Sequence, residues 1–189
     1  ADVKTLLTDY SCCYGSGVAI SMHLKEKALS TKLMGLGLHN IYNATAAAAV
    51  GLAMGIGPDE IRKGLEEWRP FKGRFELHRL DCGVNLIDDT YNANPNSVAM
   101  ALKTLADVKG PGRGIVILGD MMELGVYASE AHYEIGKKAA STGVDFLFLL
   151  GTLSSAHTSR GARDGGMEEG QIVICSDYKD VSGHVNPIL

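Results

Sequence analysis

At 189 residues and 46% hydrophobic composition, the chain has material for one large domain, or for one full domain joined to a piece of another, with a packed core. A net charge of −4 with scattered basic residues argues against a nucleic-acid footprint. The longest apolar run, Val144 to Leu150 with Asp145 inside it, is too short to span a bilayer, and no leader pattern opens the chain, so a cytoplasmic location is expected.

Residues 1 to 34 give a weak signal. Val3 to Leu7 fits a short helix or strand, Tyr10 to Val18 is broken by glycine, and Val18 to Leu24 has strand character; the opening resembles the middle of a domain rather than its start. Cys12, Cys13, Cys82 and Cys175 lack CxxC spacing and nearby histidines, which argues for reduced structural thiols and against zinc. After the turn Gly35-Leu36-Gly37, the alanine-rich stretch Asn40 to Met54 predicts a closely packed helix. Pro58 opens a second helix with Asp59 and Glu60 in its first turn and Ile61, Leu65 and Trp68 on one face, ended by Arg69-Pro70. Two helices in series followed by Pro70-Phe71-Lys72-Gly73 mark a hinge near residues 70 to 73.

Beyond the hinge, Arg74 to Leu80 and Gly83 to Ile87 predict strands joined by an Asp81-Cys82-Gly83 turn. Asn94-Pro95 starts a helix reaching about Val108, with the asparagine as its cap. Gly114 to Gly119 is a strand apolar on both faces, expected inside a parallel sheet. Glu130 to Ala140 is a helix, Val144 to Leu150 a buried strand, Gly151 to Gly165 a helix of poor propensity, Gln171 to Cys175 a strand and Asp177 to Val181 a short helix. Alternation from residue 84 onward predicts an α/β fold, a Rossmann-like, mostly parallel sheet with helices on both faces.

Several polar groups fall where such folds bind ligands. Asp88 and Asp89 lie between a strand's carboxyl end and a helix start; they fit either a ligand site or a plain turn. Asn40 and Asn43, three apart, could pair with a purine edge or a ribose, or serve as a cap and its helper. Arg74 could grip phosphate oxygens at the hinge, or simply open a strand. Asp120 and Glu123 follow a buried strand and could bind a cation, position a loop or be solvated, while a lone His132 on a helix is more often a structural hydrogen-bonder.

The octapeptide Asp88-Asp89-Thr90-Tyr91-Asn92-Ala93-Asn94-Pro95 resembles the DDTYNANP signature of the Mur ligase family. In sequence order, Gly37-Leu38-His39-Asn40-Ile41-Tyr42-Asn43-Ala44 resembles the family's GxHNxxNA motif, Gly73-Arg74-Phe75-Glu76 its GRFE segment, Gly119 to Gly125 its LGDMxELG segment, and His132 the histidine of the next helix. The resemblance, over roughly residues 33 to 180, implies ATP as cofactor. His39, Asn40 and Asn43 would then lie at the nucleotide with Asn43 on adenine, Arg74 on phosphates, Asp89 on the ribose, and Tyr91, Asn92 and Asn94 completing the wall. Asp88, Asp120, Glu123 and His132 would be acceptor-side or loop-positioning groups.

By the same resemblance, residues 1–72 would be the end of a central ATPase domain and residues 73–189 a C-terminal domain, with the chain cut at both ends. The implied reaction is ATP-dependent amide formation through an acyl phosphate, adding D-alanyl-D-alanine to a UDP-N-acetylmuramoyl-tripeptide in peptidoglycan synthesis. The sequence has no GxxxxGK[ST] phosphate loop, so no catalytic residue and no metal ligand is assigned; the magnesium ligands are expected in a preceding region, and the chain alone is expected to be inactive. Two other readings are a non-catalytic nucleotide-binding or scaffold module, and a more distant ligase of the folylpolyglutamate or cyanophycin synthetase kind.

Overall fold

A computed structural model describes residues 5–13, 17–24 and 27–189 of the chain. The chain divides into two compact units, Ala1–Asp89 and Thr90–Leu189.

The first unit opens with an antiparallel meander, β1 (Thr5–Cys13), β2 (Gly17–Leu24) and β3 (Lys27–Leu33). Val18, Ile20, Met22 and Leu24 alternate into the interior along β2, and Leu29, Thr31 and Leu33 do so along β3. That period of two was present in the sequence of β3, which the sequence analysis did not assign.

Helix α1 (Leu38–Ala53) buries Ile41, Ala44, Ala48 and Leu52 at helical spacing, and α2 (Pro58–Glu67) buries Ile61 and Leu65. The hydroxyl of Thr31 donates to Glu66 at 3.3 Å, tying β3 to α2. Trp68, expected on the face of α2, lies just beyond the helix; its ring presses on Gly35, where even a methyl group would collide with it.

Strands β4 (Glu76–Arg79) and β5 (Asn85–Asp88) form an antiparallel hairpin closed through Leu80 to Val84, with the expected glycine turn at Gly83. The packing groups this hairpin with the first unit. The sequence analysis placed β5 in the parallel sheet, but its one ladder among the described residues is with β4.

The second unit is the parallel α/β layer. Strands β6 (Ile115–Leu118), β7 (Phe146–Leu150) and β8 (Ile172–Cys175) pair in parallel in that order. Helices α3 (Pro95–Val108), α4 (Ala128–Ser141) and α5 (Ser159–Asp164) cover one face through Val98, Leu102, Ile135, Ala139 and Ala162. Helix α6 (Tyr178–Val185) covers the other, with Val181 against Phe148 and Cys175.

The central strand is β7, whose Leu147, Phe148 and Leu149 are almost fully buried. Strand β6, predicted to be interior, is the edge of this ladder, and Ile117 is half exposed. Apolar residues on both faces show that a strand is covered; they do not say how many neighbours it has.

Candidate functional site

In the first unit, three segments far apart in sequence converge. Gly37 turns the chain into α1, and the side-chain amide of Asn40, buried in the first turn, donates to Leu36 O at 2.8 Å. Asn40 is thereby committed to holding the glycine-rich turn, whereas Asn43 is exposed. Just before Asn40, the His39 imidazole and the Phe75 ring meet edge to face, with centroids 4.9 Å apart and planes at 74°. Burial pushes the His39 pKa down, favouring the neutral ring, and Nδ1 is buried with no partner among the described residues.

Phe75 is the pivot of this arrangement. It is almost fully buried and holds φ at +60°, a left-handed conformation that costs a non-glycine residue about 1–2 kcal/mol. Its backbone N–H donates to the carboxylate of Asp89, and the guanidinium of Arg74 acts on the same carboxylate. Burial raises the Asp89 pKa, an effect offset only in part by the Phe75 N–H and the Arg74 charge and reinforced by the neighbouring Asp88. His39, Arg74 and Asp89 are thus joined through one strained residue. The strain at Phe75 had no signature in the sequence.

On the same hairpin, Glu76, His78 and Asp88 bring one donor atom each to within 4.8 Å of one another. The sequence analysis placed every metal ligand outside this chain and did not single out Glu76 or His78.

The remaining predicted residues lie in the second unit. Tyr91 and Asn92 are exposed. Asn94 caps α3 as expected: its Oδ1 accepts from Ser97 N at 3.0 Å, and Asn94 N donates to Ser97 Oγ at 3.0 Å.

Asp120 binds the start of the helical stretch that follows β7. Its carboxylate accepts from Ser154 N at 2.7 Å and Leu153 N at 3.3 Å. Burial alone would raise its pKa, but these backbone donors outweigh it and hold the carboxyl below the usual range. Gly151 permits the approach. It has φ +98°, and a methyl group there would lie 2.5 Å from Asp120 Cγ.

His132 is fully buried: Nε2 accepts from Met121 N at 2.9 Å, while Nδ1 donates to Ala128 O at 2.7 Å. This arrangement defines the Nδ1-protonated neutral tautomer. Asp120 and His132 therefore set the loop between β6 and α4, and Glu123 sits exposed on that loop with φ +63°.

At the carboxyl ends of β7 and β8, Gly151, Thr152, Ser155, Ala156, Cys175 and Ser176 line an open cleft of about 540 Å³. The sequence analysis singled out none of them as a site residue, although a glycine directly after a buried strand points to that end of a parallel sheet.

One unit with a hairpin that gathers an arginine and a carboxylate, and another with a parallel α/β layer whose loops lie at the strand ends, have the elements of a ligand-binding α/β protein. The family model for the Mur ligase, glutamate ligase domain matches residues 73–185, and the chain belongs to the Mur ligase family. A UDP-N-acetylmuramoyl-tripeptide--D-alanyl-D-alanine ligase of Bacillus subtilis is 38% identical over 171 residues, covering 82% of this chain and 37% of that protein. The enzyme of the same name from Escherichia coli is 38% identical over 120 residues, 64% of this chain and 26% of that protein. A crystal structure of MurF from Acinetobacter baumannii superposes with a TM-score of 0.82 at 28% identity, over 97% of this chain and 39% of that one. The chain thus spans less than two fifths of the length of these relatives. No helix among the described residues is long and apolar enough to cross a membrane.

Proposed function

We propose that this chain supplies the nucleotide-contacting and acceptor-side portion of an ATP-dependent ligase. Its reaction would add D-alanyl-D-alanine to a UDP-N-acetylmuramoyl-tripeptide in the cytoplasmic assembly of peptidoglycan precursors. The names of the relatives support the substrates, and the observation that carries the proposal is the convergence of His39, Arg74 and Asp89 around Phe75. In this organisation residues 1–72 end a central ATPase domain and residues 73–189 form the C-terminal domain.

ATP supplies the phosphoryl group that turns the tripeptide's terminal carboxylate into an acyl phosphate, so that the dipeptide amine can displace phosphate and form an amide. The roles of this chain's residues follow from their chemistry. The Arg74 guanidinium can grip phosphate oxygens through two parallel N–H donors. Asp89 already accepts from the Phe75 N–H and retains lone pairs for ribose hydroxyls. Asn43 offers an exposed amide for the base, and Tyr91 and Asn92 offer exposed ring and amide groups. Magnesium favours an all-oxygen octahedral shell, and the imidazole-containing Glu76–His78–Asp88 group does not fit that preference, so none of these residues is assigned to it.

Calorimetry with ADP tests the proposal. Arg74→Ala and Asp89→Ala should each weaken binding about tenfold or more, since one lost charge-assisted contact is about 1.5–3 kcal/mol. No nucleotide heat from the unaltered chain, or equal affinity in both variants, would remove the basis for the nucleotide role. In a coupled ADP-release assay the chain by itself is expected to show no turnover.

A further inference from the structure

Glu76, His78 and Asp88 have no part in the proposed nucleotide contacts, yet the hairpin builds them into one group. In the β4–β5 ladder Glu76 stands directly opposite Asp88, and His78 follows Glu76 by two residues on the same face. Two carboxylates directly opposite each other on a ladder repel. All three residues are half-buried, which limits how far water screens that repulsion. A cation between them would remove it.

The spacing supports that reading. Glu76 Oε2 lies 3.3 Å from His78 Nε2, close to the separation of about 3.4 Å that tetrahedral ligands show around zinc at about 2.1 Å. With every donor atom within 4.8 Å of the others, the third ligand needs only side-chain adjustment to close.

We propose that the β4–β5 hairpin is a binding site for a divalent transition-metal ion, with Glu76 and Asp88 as oxygen ligands, His78 Nε2 as the nitrogen ligand and water completing the shell. One imidazole with two carboxylates suits zinc, cobalt or nickel rather than magnesium or calcium. Three protein ligands leave the site open on its solvent side. The ion cross-links the two strands, and its charge sits one residue from Asp89.

Cobalt titration of the full chain, without nucleotide, tests the site independently of the nucleotide proposal. One equivalent should bind, with visible d–d absorption and paramagnetic shifts centred on residues 76–79 and 85–88, and zinc should displace it while a large excess of magnesium should not. His78→Ala and Asp88→Asn should each lower affinity at least about tenfold, because even outer-shell partners of metal ligands are worth about 10–100-fold. His184→Ala removes another exposed histidine–carboxylate pair, at 3.3 Å from Asp180, and should change nothing. Paramagnetic effects centred elsewhere, an unchanged affinity in His78→Ala, or no binding up to millimolar cobalt would each overturn the proposal; the shifts in the unaltered chain need no variant to fold.

Discussion

Replacing His132 with leucine isolates what holds the loop between β6 and α4. The imidazole is fully buried and bridges Met121 N–H, which it accepts at 2.9 Å, to Ala128 C=O, to which it donates at 2.7 Å. Leucine has similar bulk, so little cavity forms, but it leaves the Met121 N–H in the interior without a partner. A buried donor left unsatisfied costs about 1–3 kcal/mol, and loss of the bond to Ala128 O adds about 0.5–1.5 kcal/mol. The second unit should lose about 2–4 kcal/mol, and its urea midpoint should fall by about 1–2 M at an m-value of about 2 kcal/mol/M. Hydrogen exchange supplies the local readout: the Met121 amide should lose most of its protection while amides of β2 in the first unit keep theirs. His132→Gln, which can restore one of the two bonds, should recover part of the loss. A change below about 0.5 kcal/mol, the range of an ordinary surface substitution, would refute the assignment of His132 as the loop's anchor.

Three further substitutions test other joints of the second unit. The Asp120 carboxyl is depressed in the folded protein by the Ser154 and Leu153 N–H donors, so its stabilisation is complete above the unfolded value of about 3.9 and is lost as pH falls through the folded value. Asp120→Asn should therefore flatten the acid limb of a urea-midpoint profile taken between about pH 5 and pH 2, and a slope equal to that of the unaltered chain would contradict this account. Gly161→Ala should destabilise the second unit by about 1–3 kcal/mol or more, because its methyl group would collide with the Tyr133 carbonyl where α4 and α5 cross; thermal unfolding measures the loss. Asn94→Ala removes the capping box of α3 and should cost about 1 kcal/mol in the same measurement.

Helix α3 was legible to the residue, since Asn94 and Pro95 are a cap and a first-turn proline and Val98 and Leu102 keep helical spacing. In the same helical layer, the helix expected within Gly151 to Gly165 is also present, but its packing was not legible. Ser154 and Thr158 made the stretch after β7 look like a weak helix former, yet both are fully buried in a π-helical segment, Ser154–Thr158, continuous with α5. What overrides propensity there is close packing: Gly136 on α4 and Gly161 on α5 let the two backbones touch, a fact about two helices that neither sequence contains alone. For Asp120 the sequence offered a bound cation, a positioned loop or solvation, and could not choose among them for a similar reason. A carboxylate after a buried strand reads as ligand chemistry, whereas its partners are backbone amides 33 and 34 residues away.

The same device recurs in both units with opposite outcomes, and the contrast lies in how far the protein compensates the burial of a carboxylate. In each, an aspartate just beyond a strand takes backbone N–H donors from a distant segment, close to a non-glycine residue held at positive φ: Asp89 with Phe75, and Asp120 near Glu123. At Asp120 the protein supplies enough donors to overcome burial, so the carboxyl falls below its ordinary range and acts as a structural pin. At Asp89 one backbone donor and one guanidinium do not compensate the burial, and the carboxyl stays above its ordinary range. A carboxylate desolvated without full compensation gains most from a further donor, such as a ribose hydroxyl or a second cation.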